Sequence, residues 1–99
     1  MRMLLRATFP VEASNAAIKD GTLPATLETM FERLKPEAAY FFAQDGKRGG
    51  IFVFDMKDPS DIPAIAEPLF MRLNASLELC PVMNRDDLRA GLEKAAKNR

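Results

Sequence analysis

Apolar and polar positions alternate cleanly in only one early stretch. Over residues 3–9 the order Met3, Leu5, Ala7, Phe9 falls on one side and Leu4, Arg6, Thr8 on the other, which predicts a first strand with two distinct faces. Pro10 ends it. A helical period follows over 11–20, with Gly21 placed as its C-terminal cap. Leu23, Leu27, Met30, Phe31 and Leu34 then recur at three- and four-residue spacing, a single apolar stripe on a helix over 24–35. Pro24 suits its first turn and Pro36 stops it. The two pieces read as one helix kinked near 21–24 or as two separate helices, and a kink is the expectation.

The next stretch carries the strongest signal. Two apolar runs, 38–43 and 51–54, clasp the polar, glycine-punctuated segment Asp45-Gly46-Lys47-Arg48-Gly49-Gly50, a hairpin pattern. Neither run alternates, so both faces of this hairpin call for cover. Asp58-Pro59-Ser60-Asp61 carries helix-start chemistry. The helix it opens bears Ile62, Ile65, Ala66, Leu69, Phe70 and Leu73 on its buried side, with Pro63 and Pro68 predicting an irregular first turn or a bend. Residues 77–82 form a fourth strand, whose Pro81 fits a sheet edge or strand end. Asn84 and Asp87 form a capping box for a last helix over 85–97, where Leu88, Leu92 and Ala95 or Ala96 supply a thin apolar stripe.

Strand, helix, strand, strand, helix, strand, helix is the ferredoxin-like βαββαβ plan with an appended C-terminal helix. The expected class is α+β, with a ferredoxin-like domain over 1–84 and a C-terminal helix and tail over 85–99. Its four strands form one antiparallel sheet, with the first and third central and both long helices on one face. The aliphatic sets Met3/Leu5/Ala7, Ile51/Val53 and Leu77/Leu79 are assigned to the helix side. That leaves Leu4, Arg6, Thr8, Tyr40, Phe42, Phe52, Phe54, Met56, Glu78, Cys80 and Val82 on the other. An uncovered face that rich in large side chains exceeds what monomers usually expose, so a homodimer packed sheet to sheet, with further assembly left open, is expected.

Composition narrows the chemistry. The 99 residues are 47% apolar and 28% charged, with fourteen basic and fourteen acidic side chains and a formal net charge of zero. That balance leaves no electrostatic footprint for nucleic acid or an anionic membrane. No apolar run approaches the ~20 residues of a membrane span, nor does the N-terminus resemble a signal peptide, and a lone cysteine forms no intrachain disulfide; a cytoplasmic protein is expected. There is no histidine. The commonest general base, zinc ligand and haem ligand are thereby removed, and with them Ser-His and Cys-His nucleophile pairs. No cofactor or metal is expected.

Element order, length and the doubly apolar sheet resemble the dimeric α/β-barrel superfamily over most of 1–84. Within it, Phe52-Val53-Phe54-Asp55-Met56 followed by Glu67-Pro68-Leu69-Phe70 is similar to the corresponding stretch of muconolactone isomerases, which are cofactor-free. Asn15-Ala16-Ala17-Ile18-Lys19-Asp20-Gly21, Leu34-Lys35-Pro36-Glu37-Ala38 and the segment 45–50 are more similar to an uncharacterised bacterial family. The resemblance implies the fold and the dimer. No catalytic residue of the isomerases maps onto this chain, so no activity comes with it.

Arg6 and Glu78 are the leading candidates for chemistry, being cross-strand neighbours in this plan. In a pocket, Arg6 would anchor a carboxylate or enolate and Glu78 would move a proton as the catalytic base; the alternative is a structural ion pair. Tyr40, Phe42, Phe52 and Phe54 would wall a sheet-lined cavity for an apolar or aromatic metabolite. Cys80 reads as a small buried hydrophobe, and Asp55 as the start of the turn after the third strand. Lys47-Arg48-Gly49-Gly50 matches no phosphate-loop spacing and reads as a hairpin turn. Three functions remain: a metabolite-binding homodimer, a cofactor-free isomerase or proton-transfer enzyme, and an assembly module with no ligand site.

Overall fold

The computed structural model describes residues 1–98. Its elements are β1 (Arg2–Phe9), α1 (Val11–Lys19), α2 (Thr22–Leu34), β2 (Ala38–Gln44), β3 (Lys47–Asp55), a 3-10 turn over Pro59–Asp61, α3 (Ile62–Leu73), β4 (Ser76–Pro81) and α4 (Arg85–Lys97). The strands form one antiparallel sheet in the order β2-β3-β1-β4. This is the ferredoxin-like α+β plan, with β1 and β3 central and a helix appended at the C-terminal end.

The anticipated kink at 21–24 is instead a full break. Gly21 takes φ +84, where only glycine is unstrained, so α1 ends at Lys19 with Asp20 as its C-cap and α2 starts afresh at Thr22. Asp20 Oδ1 accepts from the Thr22 backbone N–H at 2.8 Å and secures the corner. The hairpin turn is also tighter than the polar segment suggests. Gln44 pairs with Lys47, so only Asp45 and Gly46 turn, both at positive φ, as a two-residue hairpin requires. Lys47–Gly50 belong to β3. Gly49 and Gly50 there provide close approach: a Cβ on Gly50 would stand 3.0 Å from the Phe41 ring, and one on Gly49 3.3 Å from Ala7 O. Arg48 is spent structurally, its Nη1 donating to Ser14 Oγ at 2.6 Å and Asn15 Oδ1 at 2.9 Å, which ties β3 to α1.

Before α3, Asp58 and Asp61 form a reciprocal capping box around the 3-10 turn, the irregular start that the prolines imply. Pro68 lies inside α3 and cannot donate to Ala64 O. Arg33 of α2 supplies the missing donor through Nη1 at 3.3 Å, so a local defect becomes an inter-helix contact. Of the side chains assigned to the buried side of α3, Ile65, Leu69 and Leu73 are buried, whereas Ile62 and Phe70 are exposed.

The core lies between the sheet and α1–α3. Met3, Leu5, Ala7 and Phe9 of β1 face it as expected. The third strand inverts the expected assignment. Met3 pairs with Phe54 and Leu5 with Phe52, and directly paired residues share a face. Phe52 and Phe54 are therefore core residues, 0% and 1% exposed, together with Met56, while Ile51 and Val53 point to the other side. The physical reason is volume. Phe52 meets Phe31 and Phe41 edge to face, at centroid distances of 5.8 and 5.6 Å, filling a gap between helix and sheet that a β-branched side chain would leave open.

Because Phe52 anchors this aromatic cluster, Phe52→Ala is expected to cost about 3–5 kcal/mol, read as a lower urea midpoint in equilibrium unfolding. A change below about 1 kcal/mol would return Phe52 to the open side of the sheet.

Candidate functional site

The helix-free face of the sheet carries Leu4, Arg6 and Thr8 from β1, Ile51 and Val53 from β3, Tyr40, Phe42 and Gln44 from β2, and Glu78 and Cys80 from β4. Leu4, Ile51 and Val53 are half-buried; Tyr40 is 65% and Phe42 37% exposed. The Phe42 ring lies close to Gly49 of β3, with ring Cε2 3.6 Å from where a Cβ would be, an ordinary contact.

Arg6 stands near the middle of this face, between Ile51 on one side and Glu78 on the other. Register makes Arg6 and Glu78 direct partners, yet the guanidinium turns away: Nη1 donates to Gln44 Oε1 at 3.3 Å. Among the described residues no ion pair holds either Arg6 or Glu78. In the single chain Arg6 and Glu78 make no ion pair; the alternative expectation was of a pair buried in the dimer cavity. Arg6, Thr8, Gln44, Lys47, Ser76 and Glu78 instead border an open depression of about 280 Å³.

The candidates thus divide. Arg6 and Glu78 share one depression, Tyr40 and Phe42 stand on the same face, and Phe52 and Phe54 are sealed in the core and cannot wall a cavity there. Cys80, opposite Leu4, is exposed rather than buried. Gln44 is the residue that sequence reasoning missed. Its signal was present, since 40, 42 and 44 share one side of a strand, but Gln44 falls between the apolar run 38–43 and the polar segment 45–50 and belongs to neither. A separate apolar groove of about 510 Å³ lies on the helix side, beside Phe41, Leu23 and Leu27.

Asp55 ends β3 in a local charge cluster. Lys57 Nζ lies 2.5 Å from Oδ2, and the Met1 amine donates to Oδ1 at 2.7 Å. The hydrogen bond from Lys57, then that from the amine, holds the carboxyl at about 2, below its usual 3.8. Among the described residues no cluster of His, Cys, Asp and Glu is arranged to hold a metal ion. No helix among them is long and apolar enough to cross a membrane.

No protein-family model matches the sequence, and no curated protein matches it. Among solved structures the chain is similar to the de novo designed protein Ferredog-Diesel, with a TM-score of 0.50 and 10% sequence identity over 82% of this chain and 85% of that one. Likeness at that identity establishes the ferredoxin-like fold alone.

The Asp55 cluster gives a direct test of this end of the sheet. A folded pKa below the unfolded one contributes stability that is fully present above pH 3.8 and is lost as the pH falls toward about 2. Carboxyl-carbon NMR of the Asp55 side chain is expected to titrate near 2, and Lys57→Ala to move that midpoint upward. A wild-type midpoint near 3.8 would show that the bridges do not form in solution.

Proposed function

We propose that the chain works as a homodimer that closes its helix-free sheet face against a second copy and holds a small molecule at Arg6. The observation that carries this reading is the setting of that arginine. A permanent cation sits among Leu4, Ile51, Val53, Tyr40 and Phe42, bonded only to a neutral amide. Covering the face would remove the guanidinium from water, where it needs a paired anion, and its one side-chain hydrogen bond goes to Gln44 although Glu78 stands opposite it and Asp45 borders the same depression. A ligand with an apolar or aromatic body and a carboxylate answers both features, with the body against the aliphatic floor and the carboxylate in a two-pronged pair with Arg6. This arrangement is the dimeric α/β-barrel plan.

A catalytic version follows from the Glu78 carboxylate at the same depression. Glu78 lies across from Arg6 with no cation holding it, so in the closed dimer its carboxylate would be placed to take a proton from a carbon next to the ligand's anchored carboxylate. Arg6 would stabilise the enolate that develops. No metal or redox group is needed for a proton shift of this kind.

Sedimentation equilibrium at micromolar concentration is expected to show a dimer, and native mass spectrometry of freshly purified protein a dimer that retains extra mass. Val53→Asp, which puts a second charge on the aliphatic floor, should weaken the dimer at least tenfold while leaving the core intact. Arg6→Gln should lose the extra mass and keep the dimer. A wild-type monomer overturns the reading; a dimer without retained mass, and without binding of aromatic carboxylates in calorimetry, leaves an assembly module. For the catalytic version, Glu78→Gln is expected to abolish turnover of any substrate found, and undiminished turnover removes Glu78 as the base.

A further inference from the structure

Among the described residues, the apolar side of α4, with Leu88 and Leu92 exposed, and the outer edge of β2 both lack a partner. Only β2 carries groups that specify one. The sheet order leaves β2 and β4 at its edges, and the two are built differently. β4 is six residues long and carries Glu78 and Pro81, a charge and a missing donor of the kind that keep an edge from pairing. β2 is Ala38-Ala39-Tyr40-Phe41-Phe42-Ala43-Gln44, without charge or proline, and it pairs with β3 at seven consecutive positions without a bulge. Tyr40, Phe41, Phe42 and Ala43 are all exposed. The two-residue turn fixes which backbone groups are open. Gln44 and Lys47 close the hairpin as a hydrogen-bonded pair, and such pairs alternate along an antiparallel ladder. Tyr40 and Phe42 therefore bond to β3, while the N–H and C=O of Ala39, Phe41 and Ala43 point outward. No other backbone hydrogen bond among the described residues engages them.

We propose that β2 is a docking edge for an extended segment of another protein, which adds antiparallel to it as a fifth strand and drops a large apolar side chain into the groove beside Phe41. The open backbone groups dictate a strand as the occupant. The groove dictates its side chains. Ala39, Phe41 and Ala43 lie on the helix side, since Ala39 pairs with Phe52 and Phe41 meets Phe52 edge to face. The apolar groove of about 510 Å³ opens there, reaching Ala43 and lined by Phe9, Val11, Leu23, Leu27 and Phe41. A residue directly opposite Ala43 on an added strand shares that side of the sheet. A second copy of this chain fits less well. Antiparallel self-pairing that matches all three open residues centres on Phe41 and sets Ala39 opposite Ala43, so only a methyl group would face the groove. Charge narrows the partner further. Lys47 and Arg48 border the groove and no carboxylate lines it, while Asp45 borders the depression on the helix-free face. Acidic flanks on the segment are therefore favoured over basic ones. The proposal does not depend on the sheet-face dimer, which closes a different surface.

The test begins with backbone amide exchange in the full chain. Without peptide, the amides of Ala39, Phe41 and Ala43 are expected to exchange at least a hundredfold faster than those of Tyr40 and Phe42. Equal protection of all five would mean that a second copy or the chain itself already fills the edge, and overturns the proposal. A displayed library of random nonapeptides is then selected on the immobilised chain. Enriched sequences are expected to alternate large apolar residues with polar ones between acidic flanks. Their synthetic peptides should slow exchange at Ala39, Phe41 and Ala43 at least tenfold. No enrichment, enrichment without apolar alternation, or binding that leaves those amides unprotected overturns it as well. Ala43→Pro removes one outward donor and none that bonds to β3, so it should weaken the peptides at least tenfold while cooperative unfolding is retained. Val11→Asp, at an exposed position of the groove, should weaken them as much without altering the strand. Unchanged affinity for either folded variant overturns the proposal.

Discussion

The register of β1 against β3 is the constraint on which this structure depends. Met3 opposite Phe54 and Leu5 opposite Phe52 commit both phenylalanines to the helix side. Because side chains alternate along a strand, one pairing assigns every other side chain of β3. Ile51 and Val53 then lie on the same side as Leu4 and Arg6, and the helix-free face acquires an aliphatic floor with one cation in it. A slip of a single residue would bury Ile51 and Val53 and turn two phenylalanine rings toward water. The aromatic contacts of Phe52 with Phe31 and Phe41 hold the register in place, since they are available only on the helix side.

The same register sets the chemistry of the open face. It places Glu78 directly across from Arg6, and the turn geometry of the adjacent hairpin brings Gln44 within reach of the guanidinium. Residues on all four strands therefore converge on one depression, though Arg6 and Glu78 lie near opposite ends of the chain. Several residues of the hairpin also do structural work: Asp45 and Gly46 turn the chain, Arg48 ties β3 to α1, Gly50 admits the Phe41 ring and Gly49 the close approach of Ala7 O. Of this basic, glycine-rich segment, Arg48 and the two glycines serve local structure, while Asp45 and Lys47 also border the depression.

Element order, helix caps and the parity of β1 and β4 are legible in the chain itself. Each rests on a local rule: alternation for β1, prolines and glycines for helix ends, and side chain-to-backbone capping at Asp58 and Asn84. Arg6, Tyr40, Phe42 and Glu78 were placed on one face by the same alternation. The third strand was not legible, because Ile51-Phe52-Val53-Phe54 is apolar at every position and its own sequence carries no parity. Nothing in that run puts Ile51 and Val53 inward, and the space between sheet and helices requires the larger rings.

The sequence by itself determined a ferredoxin-like chain with a capped final helix, because those features depend on neighbours a few residues away. Tertiary structure alone decided that Phe52 and Phe54 are core, that Arg6 turns to Gln44 rather than to Glu78, and that α4 leaves the domain with its leucines uncovered. Each of those outcomes depends on partners distant in sequence, whether a facing strand, a ring filling a gap or the absence of a surface within reach. The β2–β3 hairpin joins the two kinds of information: its turn is local, while the direction in which its aromatics point is set by the strand beside it.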